Sequence, residues 1–105
     1  MRDAGATDIT GIKADLARRI ARIEWRAGPL RIADEMNAIR AIAQRHRLLP
    51  AATVAHLLES ALVHGQRGAL VHGWLAMLAE AVASDRQDRA ASDAFAAACA
   101  VRFAA

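Results

Sequence analysis

Tyrosine is absent from this 105-residue chain, cysteine occurs once and proline twice. Each shortage excludes something. One cysteine, Cys99, permits no disulfide framework within the chain, which suits a reducing cytoplasm. β-branched residues never cluster in alternating runs, so strands have little support. No run of ~20 apolar residues is present to span a bilayer. The nearest candidate, GALVHGWLAMLAEAVA, is short and carries His72 and Glu80. The opening MRDAGATDITGIK has acidic residues and no apolar segment, unlike a secretory signal. A phosphate-binding loop, a dinucleotide fingerprint, a nucleophile elbow and the Glu-x-x-His pattern of di-iron bundles are also missing. These gaps predict a protein that is not an enzyme and uses no cofactor or metal.

What the chain does have is alanine and amphipathic periodicity. Hydrophobic residues make up 55% of it, much of that alanine, the strongest helix former. The length fits one domain, residues 1–105, large enough to hold itself together without a staple. The reading is all-α: a small bundle of about five helices that begins with an antiparallel αα-hairpin, with residues 1–7 flexible.

The first helix is expected over Thr7–Ala27, with Thr7 as its N-cap. Ile9, Ile12, Leu16, Ile20 and Ile23 share one narrow face at 3-4-4-3 spacing. Gly28 is placed to cap it in the left-handed conformation, and Pro29 to open the next helix. That helix, about Pro29–Leu48, carries Ile32, Met36, Ile39, Ala43 and His46 on its stripe. Pro50 ends it and starts a third helix lined by Val54, Leu57, Leu58, Ala61 and Leu62. A fourth begins near Ala69. Its apolar arc of roughly 160° includes Leu70, Val71, Trp74, Leu75, Met77, Leu78, Ala81 and Val82. So wide an arc means a central helix or one that faces a second subunit. A break is expected near ASDRQDR, where Ser84-x-x-Gln87 has the form of a capping box. The last helix then carries Ala91, Phe95, Cys99 and Phe103.

The string ALVHG occurs twice, at 61–65 and 69–73. In the first copy Gly65 falls where a helix ends. In the second Gly73 falls inside a helix, where glycine costs about 1 kcal/mol against alanine and marks close approach by a neighbour. His64 and His72 do not make a zinc site, which needs three or four ligands. The turn GQRG has the form of a loop that clamps a nucleic-acid backbone, but that loop needs a sheet behind it. A helix-turn-helix reading of AIAQRHRLLPAATVAHLLESAL, residues 41–62, finds little support because the would-be recognition helix Ala51–His64 contains no lysine or arginine to reach a base or a phosphate. His56 is the outward-facing histidine, and nothing in its sequence neighbourhood marks it as a nucleophile. Cys99 sits between phenylalanines on an apolar stripe, an environment that suits packing.

Three functional readings remain, the third being a histidine-dependent enzyme or metal protein that uses His56, His64 or His72. The first is a helical protein–protein interaction or regulatory module of a bacterial-type cytoplasm, self-associating as a homodimer. Trp25, Leu70, Trp74 and Met77 are its contact residues, because Trp25 lies opposite the isoleucine stripe and the arc of helix four exceeds one core face. The second is a nucleic-acid-binding regulator. Arg18, Arg22 and Arg26 stand at i, i+4, i+8 beside Trp25, and arginine next to an aromatic can grip phosphate and stack on a base. The net charge of +3 is modest for such a role.

Overall fold

The computed structural model describes the backbone of residues 4–103 and the side chains of 9–103. The described residues form five helices: α1 (Ala4–Ala21), α2 (Pro29–Arg45), α3 (Leu49–Val63), α4 (Ala69–Ala83) and α5 (Arg89–Arg102). No strand occurs among the described residues. The helices run alternately up and down. The Lys13 ammonium reaches the carbonyl of Ser84 at the end of α4 (2.9 Å), while Trp25 meets His72 near its start, so α1 and α4 are antiparallel. Thr53 and Ser92, near the starts of α3 and α5, share a hydroxyl–hydroxyl hydrogen bond of 2.5 Å. One end of the molecule therefore gathers the starts of α2 and α4 and the ends of α1, α3 and α5.

α3 is central and packs on α2, α4 and α5. Val54, Ala55 and Leu58 are wholly enclosed there, together with Met36, Ile39 and Ala43 of α2. α4 adds Val71, Leu78, Ala81 and Val82, and α1 adds Leu16 and Ile20. The expected stripes thus form one core. The opening αα-hairpin differs: α2 closes on α3, and the helix partner of α1 is α4. An ion pair, Arg19–Glu35 at 3.6 Å, still links α1 to α2. The longest dimension is 48 Å, about twice the length of a 15-residue helix.

Helix boundaries show where local grammar yields to packing. Residues 4–7 are helical, so Thr7 lies inside α1 and does not cap it; residues 1–3 fall outside the described part. α1 stops at Ala21, six residues before the expected end. The Arg22 amide is shared between the carbonyls of Arg18 and Arg19, and Ile23 bonds back only to Ile20, so the last turn tightens and opens. On a continuous helix Trp25 would face away from the isoleucine stripe. Breaking the helix lets Trp25 and Ala27 both pack against the core. Gly28 consequently has extended backbone (φ −60°, ψ 149°) and serves as the residue before α2, with no left-handed role. Pro29 opens α2 as expected.

α2 ends three residues early, in a Schellman motif. The Leu48 amide bonds to the Ala43 carbonyl and the Arg47 amide to that of Gln44. The left-handed position is filled by Arg47 (φ 58°), where glycine is the usual choice. α3 ends in the same motif with Gly65 (φ 96°) in that place: Gln66 bonds to Ala61 and Gly65 to Leu62. The break before α5 falls where expected, but Ser84 and Gln87 form no capping box. Ser84 ends α4, and the Gln87 side-chain amide donates to the carbonyls of Ala81 and Ser84. The cap of α5 is Asp88, whose carboxylate accepts from the Ala91 amide at 2.9 Å. Hydrogen bonds from the Arg86 guanidinium and that amide hold the Asp88 carboxyl below the usual carboxylate range.

Candidate interaction surface

The four residues assigned to partner contact separate in the fold. Trp74 and Met77 are only 5% and 4% exposed. Most of the α4 arc is occupied within the chain, because α4 lies between α1, α3 and α5. Phe103 stacks on Trp74 with ring centroids 4.4 Å apart, and the Trp74 indole N–H donates to Gln66 Oε1 at 2.9 Å. Leu70, on the first turn of α4, stays 47% exposed. Trp25 is half-buried in the α1–α2 connection, with the His72 ring tilted against it at 5.5 Å and the Arg26 guanidinium over it at 4.4 Å.

The arginine row dissolves for the same reason that Trp25 moves. With α1 ending at Ala21, the i, i+4, i+8 relation stops before Arg22. Arg18 is paired with Asp15 one turn back. Arg26 covers Trp25. Arg22 joins Arg19 and Arg31 along a cleft of about 520 Å³ between α1 and α2, where Glu24 and Glu35 also stand.

A second groove, of about 270 Å³, lies between the 25–29 segment and the α3–α4 turn. Trp25, Ala27, Pro29, Ile32, Leu62 and Val71 give it apolar walls. Its charged residues are Arg26 and Arg67, and no acidic residue lines it. The turn itself is pinned. Gly65 and Gly68 take positive φ, and Gln66 is tied to Trp74, which leaves Arg67 exposed, with no ion pair to the described residues. Sequence reasoning singled out GQRG for its form. The signal it missed was the role of Gln66 as an internal strut and of Arg67 as the exposed member.

The groove sits at the end of the molecule where exposed apolar side chains collect. Five large apolar residues remain exposed among the described residues. Four are at this end: Leu30 (82%), Val63 (79%), Leu70 and Val101 (84%). Leu49 alone is at the other. Leu30, Val63 and Leu70 each follow or precede a groove-lining residue directly in sequence.

The histidines do not converge. His64 donates from Nδ1 to the Ser60 carbonyl at 2.8 Å; the carbonyl only accepts, so the proton is on Nδ1. His46 ends α2. No group of three or more metal-ligating side chains occurs among the described residues. A third cleft, of about 450 Å³, holds His56, Ser92 and Asp93, residue types that serve nucleophilic catalysis when hydrogen-bonded in sequence. Here the Ser92 hydroxyl is bound to Thr53, and no hydrogen bond joins His56 to Ser92 or Asp93. Cys99 is buried beside the core; desolvation pushes its thiol pKa up, with Arg102 partly opposing. That disfavours the thiolate.

No helix among the described residues is long and apolar enough to cross a membrane. No protein family, curated relative or solved structure matches the chain.

Proposed function

We propose that this chain is a non-enzymatic interaction or regulatory module that binds a protein partner through the end where α2 and α4 begin. The observation that carries the reading is the asymmetry of exposed apolar residues: four of five stand at that end. Scattered single apolar residues are ordinary on a surface. Apolar side chains grouped around a groove and rimmed by charge have the make-up of a contact surface. Self-association is the simplest form of the reading, and it draws on Leu30, Val63 and Leu70 in place of the enclosed Trp74 and Met77.

Native mass spectrometry of gently purified protein tests this. The expected result is a complex with a second polypeptide, either another copy or a different chain. The double variant Leu30→Asp/Val63→Asp should lose that complex while keeping its helical circular dichroism. A monomer that carries a metal or a small molecule, in parent and variant alike, would overturn the reading.

A further inference from the structure

We infer that the groove between the 25–29 segment and the α3–α4 turn seats an apolar anchor from an acidic amphipathic segment of a partner protein. The inference rests on the interaction-module reading and names the chemistry of the partner.

Volume comes first. At about 270 Å³ the groove is below the ~300–1,000 Å³ typical of cofactor and drug-sized sites. It has room for one or two apolar side chains. The floor suits them, because the core residues Ile32 and Leu62, with the buried Val71 beneath, line it. An anchor entering such a pocket, ringed by residues that exclude water, is the usual form of an interface hot spot.

Charge selects the partner. The groove holds Arg26 and Arg67 and no acid. Beyond the ridge of Ala27 and Ile32, the α1–α2 cleft adds Arg19, Arg22 and Arg31 against Glu24 and Glu35. The two clefts thus hold five arginines and two glutamates. That excess of three equals the formal net charge of the entire chain. A segment with an apolar stripe and acidic flanks complements both features. An amphipathic helix laid in a groove is a recurrent way to supply them. Nucleic acid complements only the charge. The Trp25 ring, the natural stacking platform, already carries Arg26 over it and His72 against it.

The test uses the full chain and fluorescence anisotropy of two labelled synthetic peptides. One is an amphipathic helix of leucine and glutamate. The other has lysine in place of glutamate. The leucine–glutamate peptide should bind and the leucine–lysine peptide should not. Arg67→Glu reverses a charge on an exposed turn residue and should weaken binding about tenfold or more. Ala27→Leu fills the groove and should weaken it comparably, with unchanged circular dichroism. Equal binding of both peptides, or an Arg67→Glu protein that binds as well as the parent, would overturn the inference. So would displacement of the peptide by a single-stranded oligonucleotide at equal charge, which would make the site a phosphate track. Loss of the peptide result alone, with the native complex still abolished by Leu30→Asp/Val63→Asp, removes the acidic occupant and leaves the module. Loss of both removes the module too.

Discussion

The two copies of ALVHG are the most instructive comparison in the molecule. The first closes α3 and the second opens α4. Their burial is inverted. Leu62 is enclosed and Val63 is 79% exposed, whereas Leu70 is exposed and Val71 is completely buried. The glycines diverge as well. Gly65 adopts φ 96°, a conformation that favours glycine, and leads the chain out of the helix. Gly73 keeps helical backbone, and its missing side chain leaves room for Phe103; a Cβ there would come within 3.1 Å of the Phe103 ring. Identical letters are read differently because a helix has no preferred face of its own. The face is assigned by the direction in which the helix leaves its turn.

The largest effect should separate the two valines. Val71→Asp places an unpaired charge in the core and should cost about 4 kcal/mol or more, measured by urea denaturation. Val63→Asp, one repeat earlier, should change stability by less than about 0.5 kcal/mol. Equal losses would mean that the inversion of burial is wrong. The glycines come next. Gly65→Ala should cost about 1–2 kcal/mol, because alanine resists the left-handed backbone. Gly73→Ala should leave stability nearly unchanged: helix propensity gains about 1 kcal/mol, and the close Phe103 contact offsets it. A gain in stability, the one change of that sign, sharpens the contrast between the two Schellman motifs. Arg47 occupies in α2 the place that Gly65 occupies in α3. Arg47→Gly should therefore raise the urea midpoint, a gain of about 0.5–1 kcal/mol. A loss would show that the Arg47 side chain contributes more than its backbone strain costs.

The apolar periodicity made the helices legible. Core residues such as Leu16, Met36, Ile39, Leu58 and Leu78 are on the expected stripes. The breaks at Pro29, Pro50 and 84–88 were also legible, because proline and a lapse in the stripe act locally. The early end of α1 was not. Arg22–Ala27 contains no strong helix breaker, and local propensity alone would carry the helix on to Ala27. What stops it is the gain from packing Trp25 and Ala27 on the core, a contact with residues far along the chain.

The candidate surface was half legible for the same reason. Trp25 and Leu70 are at the basic end, and Arg22 and Arg26 contribute to its two clefts. Trp74 and Met77 went inside, because a wide apolar arc fits a helix among three others as well as one that faces a partner. Leu30 and Val63 carried no signal in the sequence, and Arg67 only one, the form of GQRG. Each is a single residue at a helix end or in a turn, where periodicity is silent. By itself the sequence determined that the chain is all-α, that it forms about five helices and which residues are available for the core, since these follow from spacing within one turn or two. Which helix packs on which, which copy of ALVHG buries its valine, and that the arginine excess collects around one apolar groove were decided only by tertiary structure. These depend on pairing between elements distant in the chain, where the free energy of burial outweighs local preference.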